Sequence, residues 1–147
     1  MIQTGSCQCG KVRYENTKAP VAVYVCHCRE CQKQSASAFG ITIEVLKSGF
    51  KLLGGDPKYW SRKLDTKRSL RCAFCQDCGS RLWHEYQGCE SDTLSIKGGS
   101  LDVVPDLSSA VHIWVKHKMP GVVIPRGIRI YMEEPRILDL VGFEKVL

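Results

Sequence analysis

Nine cysteines occur among 147 residues, and eight of them fall in three short stretches. These are Cys7-Gln8-Cys9-Gly10, Cys26-His27-Cys28-Arg29-Glu30-Cys31, and Cys72-Ala73-Phe74-Cys75-Gln76-Asp77-Cys78-Gly79. Thiolates two or three residues apart in a tight turn can both reach one tetrahedral ion at about 2.3 Å from each sulfur. Gly10 and Gly79 follow their pairs at the point where such a turn needs positive φ or a close backbone approach. One pair supplies half of a closed site, so pairs must combine across the fold. Cys75 and Cys78 form one half, and either Cys7 with Cys9 or Cys28 with Cys31 can complete it; spacing does not choose between them.

Metal binding is favoured over disulfides. Residues Met1-Ile2-Gln3-Thr4-Gly5-Ser6-Cys7 carry no basic region followed by an apolar stretch, unlike a secretory signal. No window of the sequence approaches a membrane span. A cytoplasmic, reducing location is therefore expected, where disulfides are rare, and the odd cysteine count agrees with it.

The segments around the cysteines alternate or cluster as short strands. Lys11–Glu15 has the period of a half-buried strand, and Pro20–Val25 continues as an apolar, β-branched run. A short helix is expected after Cys31, within 29–37, followed by strand character over Phe39–Leu46. Gly54-Gly55-Asp56-Pro57 marks a turn; Lys58–Leu64 and Lys67–Ala73 read as a hairpin, and Ser80–Tyr86, Asp92–Lys97 and Ala110–Val115 as further strands. From Pro120 to Leu147 no period is assignable, and irregular packing against the core is expected. The prediction is a single mainly β domain over residues 1–147.

Composition is that of an ordinary globule, 44% hydrophobic and 24% charged. The formal charge of +6 invites a polyanion partner, but seven bound thiolates and two dications would bring it to +3. Basic residues are scattered, without a single stripe, so nucleic acid is not expected as a partner.

Three ordered motifs carry a resemblance: Cys7-x-Cys9-Gly10-x-Val12-x-Tyr14, Cys26-His27-Cys28-x-x-Cys31 followed by Ser37-Ala38-Phe39-Gly40, and Phe74-Cys75-x-x-Cys78-Gly79-Ser80-x-Leu82. With Gly98-Gly99-Ser100-Leu101-Asp102 and His112-Ile113-Trp114 to Pro120, the sequence resembles the glutathione-dependent formaldehyde-activating enzyme family over nearly its whole length. The resemblance implies a β-tent fold of short antiparallel strands with a short helix. It also implies two zinc ions: a structural one held by Cys7, Cys9, Cys75 and Cys78, and a second, open one held by Cys26, Cys28 and Cys31. The implied activity is that of a carbon–sulfur lyase acting on an adduct of glutathione, or another small thiol, with an aldehyde such as formaldehyde. The domain is shared with centromere protein V, so the alternative is a non-catalytic module, either a glutathione carrier or sensor or a chromatin-linked binding domain. One departure is Met119-Pro120-Gly121, where many relatives carry tryptophan after Met-Pro; if that position lines the site, an aromatic wall is missing here.

A zinc with three protein ligands keeps a fourth position for substrate. Three thiolates weaken it as a Lewis acid, which disfavours hydrolysis, and match it to a fourth, soft thiolate beside an electrophilic carbonyl. Other candidates read more plainly. His27 is expected to face away from the metal, behind the ligands or at the surface; His84 and His112 sit in strands, and His117 is exposed. Cys72 reads as a buried strand thiol and Cys89 as a free loop thiol. Arg29, Lys33 and Lys11 flank the clusters and can pair with ligand carboxylates, although solvated surface charge explains each of them. Phe39, Trp60 and Trp83 either shape a pocket or pack the core.

Overall fold

The structure is a computed structural model and describes residues 2–136. Its ten strands are β1 (Gln3–Ser6), β2 (Arg13–Asn16), β3 (Ala22–Cys26), β4 (Gly40–Leu46), β5 (Phe50–Gly54), β6 (Lys58–Lys63), β7 (Ser69–Phe74), β8 (Arg81–Gln87), β9 (Thr93–Lys97) and β10 (Val111–Ile113). One helix, α1 (Arg29–Ser35), stands between β3 and β4. Among the described residues the chain is therefore mainly β, as the alternation of its sequence leads one to expect. The last eleven residues of the irregular segment predicted from Pro120 onward lie outside the described residues.

The strands form two sheets, one of three in the order β1-β2-β5 and one of seven in the order β10-β3-β4-β9-β8-β7-β6. Pairing is antiparallel except between β10 and β3, which run parallel. Because side chains alternate along a strand, register assigns each residue to a face. Val23, Ile43, Val45, Leu94, Ile96, Trp83 and Ala73 share the face that packs on Tyr14 and Phe50 of the small sheet and on Val12 just before β2. The rings of Tyr14, Phe50 and Trp83 meet at centroid separations of 5.4, 5.8 and 4.9 Å, so Trp83 is a core residue. Each fully buried Ile or Leu here contributes about 1.5–3 kcal/mol by leaving water.

Opposite lies a polar face: register puts Thr42 beside Lys97, Glu44 beside Ser95, and Ser95 beside His84, which in turn faces Cys72. Thr42, Glu44, Ser95, His84 and Cys72 are all buried, and the Ser95 hydroxyl donates to the Glu44 carboxylate at 2.6 Å. Cys26 belongs to this same face, packed with Ala22, Val111 and Ile113 and with Tyr24, Trp114 and Tyr131 at its margin.

Two strands, β1 and β5, have no counterpart in the expectations. Gln3-Thr4-Gly5-Ser6 lacks any hydrophobic alternation, and Gly5 is fixed by close approach. A Cβ there would come within 2.3 Å of the Tyr14 ring, whose hydroxyl hydrogen-bonds Ser100 at 2.6 Å. The helix also begins earlier than expected. Cys28 is its N-cap, its Sγ accepting from the Cys31 N–H at 3.3 Å, so Cys31 lies inside the helix instead of before it. Ala36 in the left-handed region, at φ 47°, ends it.

Candidate metal centres

Two loops bring the outer cysteines together. Cys7 and Cys9 sit on the connection from β1 to β2, and Cys75 and Cys78 on the connection from β7 to β8. In both, a glycine in the left-handed region closes a turn: the Gly10 N–H donates to the Cys7 carbonyl at φ +74°, and the Gly79 N–H to the Cys75 carbonyl at φ +73°. The two turns differ in length, the closing bond spanning three residues from Cys7 to Gly10 and four from Cys75 to Gly79, yet each ends on a left-handed glycine directly after its second cysteine. Of the two pairings that spacing left open, the structure joins Cys75 and Cys78 to Cys7 and Cys9.

The four sulfurs lie within 4.8 Å of one another, with Cys7 and Cys9 at 3.4 Å and Cys9 and Cys75 at 3.7 Å. A tetrahedral ion bonded at ~2.3 Å requires sulfur pairs about 3.8 Å apart, so the arrangement fits such an ion. The Ser80 hydroxyl, 3.3 Å from Cys78, accounts for the lowering of that thiol to about 6. Lys11 pairs with Asp77 at 3.3 Å across the same two loops.

Cys26, Cys28 and Cys31 form the second group, again with all sulfurs within 4.8 Å. Cys26 ends β3, Cys28 caps α1, and Cys31 occupies its first turn, against Gly40, where an added Cβ would stand 3.2 Å from that of Cys31. Hydrogen bonds from the Cys26 and Cys31 thiols, together with the Cys31 backbone N–H, hold Cys28 far below the usual thiol range; sharing those protons pushes Cys26 up. A group that readily carries thiolate in this way is a good metal donor set. Both groups can hold a metal ion, the first with four sulfurs and the second with three.

His27 is not at the surface. It is fully buried, and its Nε2 lies 2.8 Å from His112 Nδ1, with Phe39 edge-on at 5.6 Å. It belongs to neither sulfur group. Burial holds its imidazole down to about 4. Gln32, also buried, donates to the carbonyls of His27 and His117, both at 2.8 Å, which ties the helix to the segment after β10. His117 is itself exposed, and His84 and His112 are buried in strands.

Cys72 is a buried strand thiol outside both groups, and Cys89 is exposed. Lys11 and Lys33 are engaged by Asp77 and Glu30, and Arg29 by the Gln32 side chain, so the expected cationic flank is satisfied within the chain. Trp60 is exposed at the sheet edge. Gly121 occupies an exposed turn at φ +88° with nothing within 4 Å of an added Cβ, and it borders neither cavity described next.

Two cavities adjoin the three-cysteine group. One, of about 830 Å³, has Cys31, Phe39, Arg81, Lys97 and Ser35 on its wall, together with Cys7 and Cys78. The other, of about 860 Å³, is bordered by Cys28, Tyr24, Glu44, Arg62 and Trp114. Both are of a size that takes a small organic ligand. Arg81, Lys97 and Glu44 are polar-face residues that motif reading passed over. The available signal was Lys97, in step with the buried Ser95 on a strand whose other face is apolar.

Comparison with known proteins agrees with this architecture. A crystal structure of a Rhodobacter sphaeroides protein, solved as a structural-genomics target, superposes with a TM-score of 0.52 at 17% identity, over 87% of this chain and 98% of that one. That likeness speaks to the fold alone. No curated protein matches the chain significantly. The model of the glutathione-dependent formaldehyde-activating enzyme family matches residues 2–117, a span that holds both sulfur groups. The chain thus belongs to the glutathione-dependent formaldehyde-activating enzyme family.

Proposed function

We propose that the chain is a zinc-dependent carbon–sulfur lyase acting on the adduct of a small thiol, such as glutathione, with an aldehyde, such as formaldehyde. The observation that carries this reading is the inequality of the two sulfur groups. Cys7, Cys9, Cys75 and Cys78 would complete a tetrahedral shell, whereas Cys26, Cys28 and Cys31, beside two cavities, would leave one position for substrate. The first is read as structural and the second as the working site, in a single domain placed in the cytoplasm. When bound there, zinc supplies a soft cationic centre that favours thiolate over thiol near neutral pH.

The residues of the chain divide the remaining work. Cys28 and Cys31 each face a different cavity, so thiol and aldehyde can approach the group from separate sides. The buried Gln32 and the His27–His112 contact fix the Cys26–Cys31 loop, which limits misplacement of the reacting sulfur. In the forward direction the thiol sulfur bonds to the carbonyl carbon, the C=O π bond breaks, and the proton lost from sulfur ends on the new hydroxyl. The hemithioacetal forms without net uptake or release of a proton, and the reverse step cleaves the carbon–sulfur bond.

Exchange NMR of formaldehyde with glutathione tests the proposal. The zinc-loaded protein should accelerate S-hydroxymethylglutathione formation above the spontaneous rate, and Cys31→Ser should return it to that rate. A wild-type protein that binds glutathione yet leaves the exchange rate unchanged would instead be a thiol carrier.

A further inference from the structure

We propose that Arg81 and Lys97 form an anion site that takes a carboxylate of the thiol substrate, so that the cavity beside Cys31 selects carboxylate-bearing thiols over neutral ones. The assignment rests on reading the Cys26–Cys28–Cys31 group as the thiol site, and it adds a residue-level basis for which thiols enter.

Arg81 and Lys97 are only partly exposed, and among the described residues neither is one of the cations that form an ion pair with a carboxylate. Several exposed cations share that lack, but what sets Arg81 apart is burial of two of its guanidinium nitrogens. Both Nε and Nη2 of Arg81 are buried and have no hydrogen-bond partner. A guanidinium edge that has left water without replacing its hydrogen bonds is costly to the fold, and such a cost persists where a ligand supplies the missing acceptor.

Geometry places both residues at one cavity. Register puts Lys97 beside Thr42 and Arg81 beside Phe74, at the same end of the large sheet, and both line the cavity of about 830 Å³ that also contains Cys31. Ser35, Ser37, Ser80, Ser100, Gln8 and Gln34 add hydroxyls and amides to that wall, and Cys7, Cys78 and Cys31 bring an edge of each sulfur group to it. Asp102 is the one carboxylate on that wall, and it accepts from Ser6 at 3.3 Å without pairing with either cation. His84 carries no negative charge in either protonation state, and burial together with Lys97, Arg81 and Arg62 disfavours its cationic form.

A planar guanidinium edge with two open N–H donors matches a carboxylate in bidentate geometry, and a lysine beside it adds a second charge. A thiol whose sulfur enters the Cys26–Cys28–Cys31 group can extend its carboxylate along this cavity. The alternative role for the two cations is to offset the negative charge of the three thiolates, in which case every thiol would depend on them equally.

Calorimetry on the zinc-loaded protein separates these cases. Wild type should bind glutathione about 10- to 100-fold more tightly than glutathione diethyl ester, the gain expected of charge-assisted hydrogen bonds. S-methylglutathione, whose sulfur is blocked, should still bind. Arg81→Met and Lys97→Met should each weaken glutathione and S-methylglutathione by about tenfold or more while leaving 2-mercaptoethanol unchanged. Lys97→Arg, which keeps the charge, should retain the preference for glutathione over its ester. Equal loss of glutathione and 2-mercaptoethanol in the Met variants, or equal wild-type affinity for glutathione and its ester, would overturn the anion site while leaving the thiol site standing. Failure of wild type to bind any thiol would overturn both. The ester comparison needs no variant, so a substitution that fails to fold does not prevent the decision.

Discussion

Removing the clip between the two sheets should cost far more than removing a ligand from the loop before the helix. The four-sulfur group joins Cys9 to Cys75, 66 residues apart in sequence, and links the loop of the three-stranded sheet to that of the seven-stranded sheet. Treated as a cross-link, a loop of that length withholds about 4 kcal/mol of chain entropy from the unfolded state. Cys26, Cys28 and Cys31 lie within one short loop, and the same reasoning gives them at most about 2 kcal/mol. The cleanest perturbation is Cys9→Ser with Cys78→Ser, because Cys9 is exposed and Cys78 only half-buried, so little packing is lost. Its counterpart is Cys28→Ser, since serine preserves a side-chain oxygen at the helix N-cap. Thermal denaturation by circular dichroism of the zinc-loaded proteins should show the double variant melting about 16 °C below wild type, at about 4 °C per kcal/mol. Cys28→Ser should lose no more than about half of that. Equal losses in the two proteins, or a double variant that melts with wild type, would refute the division into a closed clip and a local open site.

Two further outcomes follow from local geometry and charge. Gly79→Ala should destabilise by about 1–2 kcal/mol in urea unfolding, purely through its backbone, because the added methyl meets open space at φ +73°. Gly79→Asn should cost less, since asparagine tolerates that region. His84 is held well below 6.5 by burial and by Lys97, Arg81 and Arg62. Only the unfolded chain takes up its proton as pH falls through about 6.5, so stability should drop below that value by up to about 1.4 kcal/mol per unit and stay level above it. His84→Gln should remove that part of the acid sensitivity, read as a shallower slope of unfolding free energy between about pH 5.5 and 6.5.

Much of the candidate site was legible because its parts are local. A cysteine pair with a glycine directly after it marks a turn by itself, as Cys-x-Cys-Gly at one half-site and Cys-x-x-Cys-Gly at the other, and both Gly10 and Gly79 take positive φ. Which half-sites meet is a tertiary matter. Cys75 joins Cys7 and Cys9 through sheet packing that no window of sequence contains. The same limit hid β1, whose Gly5 has meaning only against the Tyr14 ring brought to it by the partner strand. Arg81 and Lys97 belong to no motif, and a cation in an alternating strand is ordinarily solvated. Here both are only partly exposed, and two nitrogens of Arg81 are buried on the wall of the cavity beside Cys31. For His27 the sequence leaves two places open, behind the ligands or at the surface, and burial selects the first because its partner, His112, comes from a strand 85 residues later.

The measurement that bears most directly on the open site is zinc content by elemental analysis, paired with glutathione binding, for wild type and a Cys28→Ser, Cys31→Ser double variant whose fold is checked by circular dichroism. Two zinc ions per chain should fall to one, with the fold kept and glutathione binding lost. A variant that remains folded with two zinc ions, or that holds glutathione as wild type does, would contradict the open site.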